Sequence, residues 1–211
     1  MSAQTNYNYS TPKGVPGGKF DIAFDEVVSR NNDNEDGVMK YGIAVVKGTT
    51  AGKTVKVPVA ASVAGDFEGV ALALPNTEQD MAGNVVVKKN RSLSVMKKGN
   101  VWGRLSEYSE AVTPGATAYV IVSGEEPGFF TTRSAKYEYY VKCKSTDAGA
   151  LEVVASGAST GQINLADATP AKGFTPAVGD YVLKVEGHAA TVDIGAKFGA
   201  ESGDGIAVIV L

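Results

Sequence analysis

Two stretches of the sequence carry residue types in an order that could bind a ligand. The first, Gly48-Thr49-Thr50-Ala51-Gly52-Lys53-Thr54, resembles a phosphate-binding loop. In such a loop backbone amides cradle the phosphates, the lysine reaches the outer ones and the hydroxyl holds a metal ion. The spacing fails, because three residues separate the glycines where the motif has four. The next residues, Thr54-Val55-Lys56-Val57-Pro58-Val59, alternate like a strand, whereas phosphate binding needs a helix N-terminus there. A hairpin turn is the reading these residues support. The second stretch, Asn32-Asp33-Asn34-Glu35-Asp36-Gly37, resembles the start of a calcium loop, with Asn32, Asn34 and Asp36 at the first ligand positions and Gly37 at the turn. Its twelfth position is Ile43 where a bidentate Glu is required, and no helices flank it. An exposed polar loop is expected instead.

Other reactive groups are few. His188 and Cys143 are the only histidine and cysteine, too few for a structural zinc site. A Cys-His nucleophile pair would need a third orienting group, and none is identifiable. Carboxylates are plentiful, but nothing singles out one pair for glycoside chemistry. No disulfide is possible within the chain, and Cys143 in Tyr139-Tyr140-Val141-Lys142-Cys143 reads as a buried, inert thiol. The net charge of -3 argues against a nucleic-acid partner, which needs clustered Lys and Arg. Lys88-Lys89 and Lys97-Lys98 read as solvated strand ends. No apolar run approaches membrane-spanning length, and the polar first twenty residues do not look like a signal peptide. The sequence therefore predicts no enzyme, no cofactor and no metal.

What remains are aromatic anchors. Trp102, the only tryptophan, is either a core anchor or an interface hot spot, and its place inside a β run favours the core. Tyr137 and Tyr139 share one face of a Tyr-rich strand by period-two alternation. Residues 1–18 read as an extended arm rich in Gly, Pro and polar residues, with Tyr7 and Tyr9 as aromatic anchors and Pro12 and Pro16 pre-extending the backbone. Two readings of the arm stay open: a frayed terminus, or a segment that orders on a neighbouring subunit. Tyr7, Tyr9, Pro12, Pro16, Trp102, Tyr137 and Tyr139 are the candidate interface residues.

The elements that must position these residues are short strands. Phe20, Ile22 and Phe24 alternate with polar neighbours, predicting a half-buried strand, followed by a polar loop from Ser29 to Gly37. Further strands are expected at Tyr41–Lys47, Thr54–Val59, Phe67–Leu74, Val85–Val87, Leu93–Met96, Val101–Leu105, Ala118–Val122 and Phe129–Thr132. Gly and Pro turns separate them, a pattern typical of a barrel or sandwich. Residues 147–172 are small and polar. Strands return at Asp180–Val185 and Ala190–Ile194. The apolar run Ile206–Leu211 predicts a central strand that closes the core. The fold class is all-β: a β-barrel or sandwich of short antiparallel strands, with an N-terminal arm and a β-rich insertion. The expected organisation is an arm (1–18), a β-barrel domain (19–132), an inserted segment (133–172) and C-terminal strands completing the core (173–211).

Several of these stretches carry a family resemblance. Ser94-Val95-Met96-Lys97-Lys98-Gly99-Asn100-Val101-Trp102, Val112-Thr113-Pro114-Gly115, Ala118-Tyr119-Val120 and Gly128-Phe129-Phe130-Thr131 are similar to the structural cement, or capsid decoration, proteins of tailed phages. Ala196-Lys197-Phe198, the ending Gly205–Leu211 and the opening Asn8-Tyr9-Ser10 fit as well. Residues 133–172 depart from the family picture as extra material. The resemblance implies a β-barrel virion protein without catalysis, forming a homo-oligomer, dimer or trimer, on the outer capsid surface. It would be made in the host cytoplasm and would bind the major capsid protein, with no nucleic acid or membrane partner. The rival reading is a carbohydrate-binding module of a head fibre or tail, with the tyrosines at 137, 139 and 140 as its platform.

Overall fold

The computed structural model describes residues 14–74, 87–107, 109–134, 137–168, 175–187 and 190–211. The first barrel is built from β1 (Glu26–Asn32), β2 (Ala44–Lys47), β3 (Thr54–Lys56), β4 (Phe67–Ala71) and β5 (Ser92–Lys98). The second group is β6 (Asn100–Arg104), β7 (Thr117–Ile121) and β8 (Phe130–Thr131). The third is β9 (Tyr137–Lys142), β10 (Ala150–Val154), β11 (Gln162–Asn164) and β12 (Tyr181–Gly187). The chain ends with β13 (Thr191–Gly203) and β14 (Ile206–Val210).

Five strands close into a barrel in the order β1-β3-β2-β4-β5, all antiparallel except β1 with β3. Its apolar interior includes Met39, Ile43, Val45, Val55, Leu93 and Val95. A second sheet of five strands runs β6-β14-β13-β7-β8. It curls until Leu105, just past β6, makes a parallel bridge to Phe130 on β8, and the Ser106 amide donates to the Phe130 carbonyl at 2.8 Å. The terminal run is central as expected, since β14 lies between β6 and β13.

The two bodies share one core. Ala44, Val70, Leu72 and Met96 from the first pack with Val101, Ala118, Phe130, Phe198 and Ile209 from the second. β5 passes into β6 through Gly99 alone, whose φ of 126° a side chain would resist. Backbone bonds stitch the seam, from Arg104 N–H to Gly42 and from Ala44 N–H to Gly128, both 2.8 Å.

A third sheet, β11-β10-β12-β9, has its own small core of Tyr140, Val153, Ile163, Ala168 and Val182. The strand read as Asp180–Val185 belongs here, paired with β9 and β10, and not with the C-terminal strands. Two further readings need correction. Phe20–Phe24 is not a strand, and its apolar side chains face solvent. The first strand lies instead in the polar stretch Glu26–Asn32, which the sequence had suggested was partly loop. Pairing decides both cases: β1 finds β5 and β3, whereas Ile22 and Phe24 have no sheet to bury them. Residues 147–172 also contain two strands, β10 and β11, carried by Leu151, Val153 and Ile163.

Gly103 sits where β6 faces the interior of the second sheet. A Cβ there would lie 2.5 Å from Ile209 Cγ1 and 2.8 Å from the Phe130 ring, both fully buried. Overpacking so tight a contact costs about 1–3 kcal/mol. Gly103→Ala is expected to lower unfolding stability by that amount in a denaturant titration, while Gly65→Ala, with open space around it and no left-handed backbone to strain, changes it less.

Candidate interaction surface

The ligand-like motifs resolve into turns. Gly48–Thr54 joins β2 to β3 as a hairpin, with Gly48 N–H bonded to the Thr54 carbonyl and Thr54 N–H to the Thr50 carbonyl, both 2.9 Å. The calcium-like loop is a clasp. Asn32 is fully buried; its amide donates to the carbonyls of Val87 (3.3 Å) and Lys88 (3.1 Å) and its oxygen accepts from Asn34 N–H at 2.9 Å. Asp33 accepts from the Thr49 amide at 2.6 Å, and hydrogen bonds from Thr49 hold its carboxyl below the usual carboxylate range. Asp36 accepts from the Lys89 amide at 2.8 Å. These oxygens serve backbone donors, and among the described residues no group of His, Cys, Asp and Glu is arranged to hold a metal ion. Cys143 is half-buried, and burial, then Asp147, raises its thiol pKa; His188 lies outside the described residues. A groove of about 240 Å³ is lined by Val38, Lys40, Ile43, Val57, Pro127 and Phe129. It is smaller than typical small-molecule sites. Lys40 and Arg104 both approach the Phe129 ring, at 5.5 and 5.9 Å, and burial lowers the Arg104 pKa from its ordinary value.

The aromatic anchors separate into two places. Tyr7, Tyr9 and Pro12 lie outside the described residues. Pro16 and Trp102 come together at the seam. Residues 17–20 run antiparallel to β6: Gly17 N–H donates to the Trp102 carbonyl (2.7 Å), Trp102 N–H to Gly18 (2.9 Å), and Phe20 N–H to Asn100 (2.9 Å). Ala73 N–H donates to the Gly17 carbonyl at 2.8 Å, so this segment also touches the first barrel. Gly17 has φ of 81° and lies so close to Gly42 that a Cβ on Gly42 would be 2.8 Å from the Gly17 nitrogen and 2.9 Å from Pro16 Cβ. Gly14 rests on the indole, where a Cβ would overlap the ring. The last five residues of the stretch read as an arm are therefore bound to the body. Trp102 is 8% exposed and packs with Ile206 and Val208 in a cluster separate from the main core, with Phe20 edge-on at 5.3 Å.

Beyond Phe20 the chain turns outward. Asn100 Nδ2 donates to Asp21 at 2.7 Å, the Ala23 amide donates to Asp21 at 3.1 Å, and Lys19 pairs with Asp25. On this tied loop Phe20 is 41% exposed, Phe24 81% and Ile22 completely so. Val27 follows on β1 and is also exposed. Period-two alternation implies half-burial, so the sequence alone does not reveal this apolar patch. Tyr137 and Tyr139 lie elsewhere, on β9 at the end of the third sheet.

Trp102 is covered by a thin layer of backbone and one phenyl ring, so its removal opens a cavity that few side chains can fill. Trp102→Ala is expected to cost about 3–5 kcal/mol. A denaturation curve checks this; unchanged stability would mean the indole serves only contacts outside the chain.

The comparisons with known proteins agree with the geometry. The family described as structural cement protein (E217 gp24/Pam3 gp6) matches residues 3–211. Against curated protein sequences the chain finds no match. Among solved structures, a chain from the capsid of Myoviridae phage XM1 aligns over 100% of this chain and 97% of its own, with a TM-score of 0.54 at 10% identity, a likeness of fold. With a family match over nearly its whole length and an all-β body of one closed barrel and two further sheets, the chain belongs to the structural cement proteins of phage capsids.

Proposed function

We propose that this protein binds the outside of an assembled phage head as a homo-oligomer and stabilises the capsid lattice, without catalysis. The observation that carries the reading is the exposed patch of Phe20, Ile22 and Phe24 on a loop held by hydrogen bonds to Asn100 and by the Lys19–Asp25 ion pair. Apolar side chains left in water on an ordered loop mark an interaction site. Burying one such side chain contributes about 1.5–3 kcal/mol. Because the loop is already ordered, little of that gain is lost to fixing it.

Stabilisation then follows by linkage. A protein that binds the assembled lattice but not dissociated capsid subunits shifts the equilibrium toward the lattice. Repeated copies, each making a modest contact, act together through multivalency. Residues 1–13, with Tyr7, Tyr9 and Pro12, extend this contact onto a neighbour; residues 14–18 belong to the body. The net charge of -3 suits a protein rather than a nucleic-acid partner.

The test is decoration of purified heads that lack the native cement protein. Ile22→Asp with Phe24→Asp is expected to leave the melting temperature unchanged, since neither side chain is buried, and to abolish head occupancy in cryo-EM. Deleting residues 1–13 is expected to preserve folding and weaken attachment. Full occupancy by the double variant would move the capsid contact to another face.

A further inference from the structure

The groove beside Phe129 lies where the barrel meets the second sheet. The loop from β1 to β2 lines it with Val38, Lys40 and Ile43, and the loop from β7 to β8 with Glu125, Pro127 and Phe129. Both loops are held by backbone bonds. Gly37 N–H donates to the Val87 carbonyl (3.3 Å), Gly128 N–H to Ile121 (2.7 Å) and Phe129 N–H to Glu126 (3.1 Å). At about 240 Å³ the groove has room for side chains of a partner rather than for a whole small molecule.

Two cations stand at its ring. Lys40 Nζ lies 5.5 Å from the Phe129 centroid and Arg104 Cζ 5.9 Å from it. Arg104 donates once, from Nε to the Tyr41 carbonyl at 2.9 Å. Its terminal amino groups make no hydrogen bond among the described residues, and neither cation has an ion-pair partner there. Burial lowers the Arg104 pKa, and no neighbouring anion counters it. Like charges gathered at one ring repel each other, and a half-buried guanidinium without a counter-ion is held at a cost. The open side of its planar fork matches a carboxylate.

The groove also continues the face that carries the exposed loop. Trp102 and Arg104 stand two residues apart on β6 and point to the same side, while Gly103 between them faces the interior. Phe20 lies edge-on to Trp102 at 5.3 Å. A partner surface laid over the loop therefore extends along β6 toward Arg104. We propose that the Phe129 groove is a second contact on the phage head, taking an acidic segment of the capsid protein in which a carboxylate lies beside an apolar side chain. This rests on the capsid-binding reading above and names the chemistry its partner carries. The carboxylate is shared by Arg104 and Lys40, and the apolar side chain enters the groove beside Val38, Val57 and Pro127. Glu125 is exposed on the same groove and repels such a segment.

The test is titration of the full chain onto purified heads that lack the native cement protein, at low and high salt, with melting run alongside. Lys40 and Glu125 are exposed, so Lys40→Glu and Glu125→Gln are expected to keep the melting temperature. Lys40→Glu is expected to weaken attachment about tenfold at low salt and less at high salt, because exposed charges are screened. Glu125→Gln is expected to tighten it. Arg104→Lys keeps the charge but loses the fork, and is expected to weaken attachment. Equal attachment of the intact chain, Lys40→Glu and Glu125→Gln at every salt concentration overturns the groove contact and leaves the capsid reading standing. A loss in Lys40→Glu that salt does not change does the same. Binding of a DNA oligonucleotide that Lys40→Glu abolishes would assign the cations to phosphate and likewise overturn it. If the intact chain itself fails to decorate heads, the capsid reading falls and this contact with it.

Discussion

The chain from Ser92 to Arg104 runs as one β path broken only at Gly99, and both the barrel and the second sheet depend on it. Its first half pairs with β1 and β4 and so closes the first barrel. Its second half pairs with β14 and so forms an edge of the second sheet. The direction of the path changes at a residue with φ of 126°, where a Cβ would lie 2.9 Å from Asp25 Cβ and 3.2 Å from Met96 Sδ. With the two halves joined there, Met96 on the barrel and Val101 on the second sheet share a single core. The separate closures by Arg104–Gly42 and Ala44–Gly128 then have fixed places to bond.

The N-terminal segment exploits the same seam. Its glycines are what let backbone lie flat on the indole and against Gly42. Because this contact is mostly backbone hydrogen bonding, it leaves the side chains that follow free to point outward. The patch of Phe20, Ile22 and Phe24 is thus a consequence of how the segment is held: residues 17–20 spend their backbone on β6, and Asp21 spends its carboxylate on Asn100 and Ala23. A flexible strand of the same composition would lose more entropy on docking.

Much of the architecture could be read from the residues, where backbone pairing and side-chain burial point the same way. Val101–Leu105, Ala118–Val122 and the terminal run are apolar because they are interior, and the strands stand there. The failures share one cause, since alternation reports side-chain chemistry and not whether a neighbouring strand exists. Phe20–Phe24 has the pattern without a sheet partner for its apolar face. Glu26–Asn32 has a partner without the pattern, and its one fully buried residue, Asn32, is polar because its amide satisfies the carbonyls of Val87 and Lys88. Of the anchor residues, Trp102 could be placed inside a strand from sequence alone. That Gly14 and Gly18 lie beside it depends on contacts more than eighty positions apart in the chain, which no local pattern records.

The three sheets also differ in how much they can support alone. The barrel and the second sheet bury large side chains completely, among them Phe130, Phe198, Met39 and Ile43. Among the described residues the third sheet buries nothing larger than one tyrosine, and its strands β10 and β11 grow out of Ala-, Gly- and Ser-rich sequence that adds little apolar area. A small sheet with few buried side chains has little stability of its own. Attached to a body that already folds, it needs none. The body therefore carries the stability, and the loop of Phe20, Ile22 and Phe24 stands exposed on it.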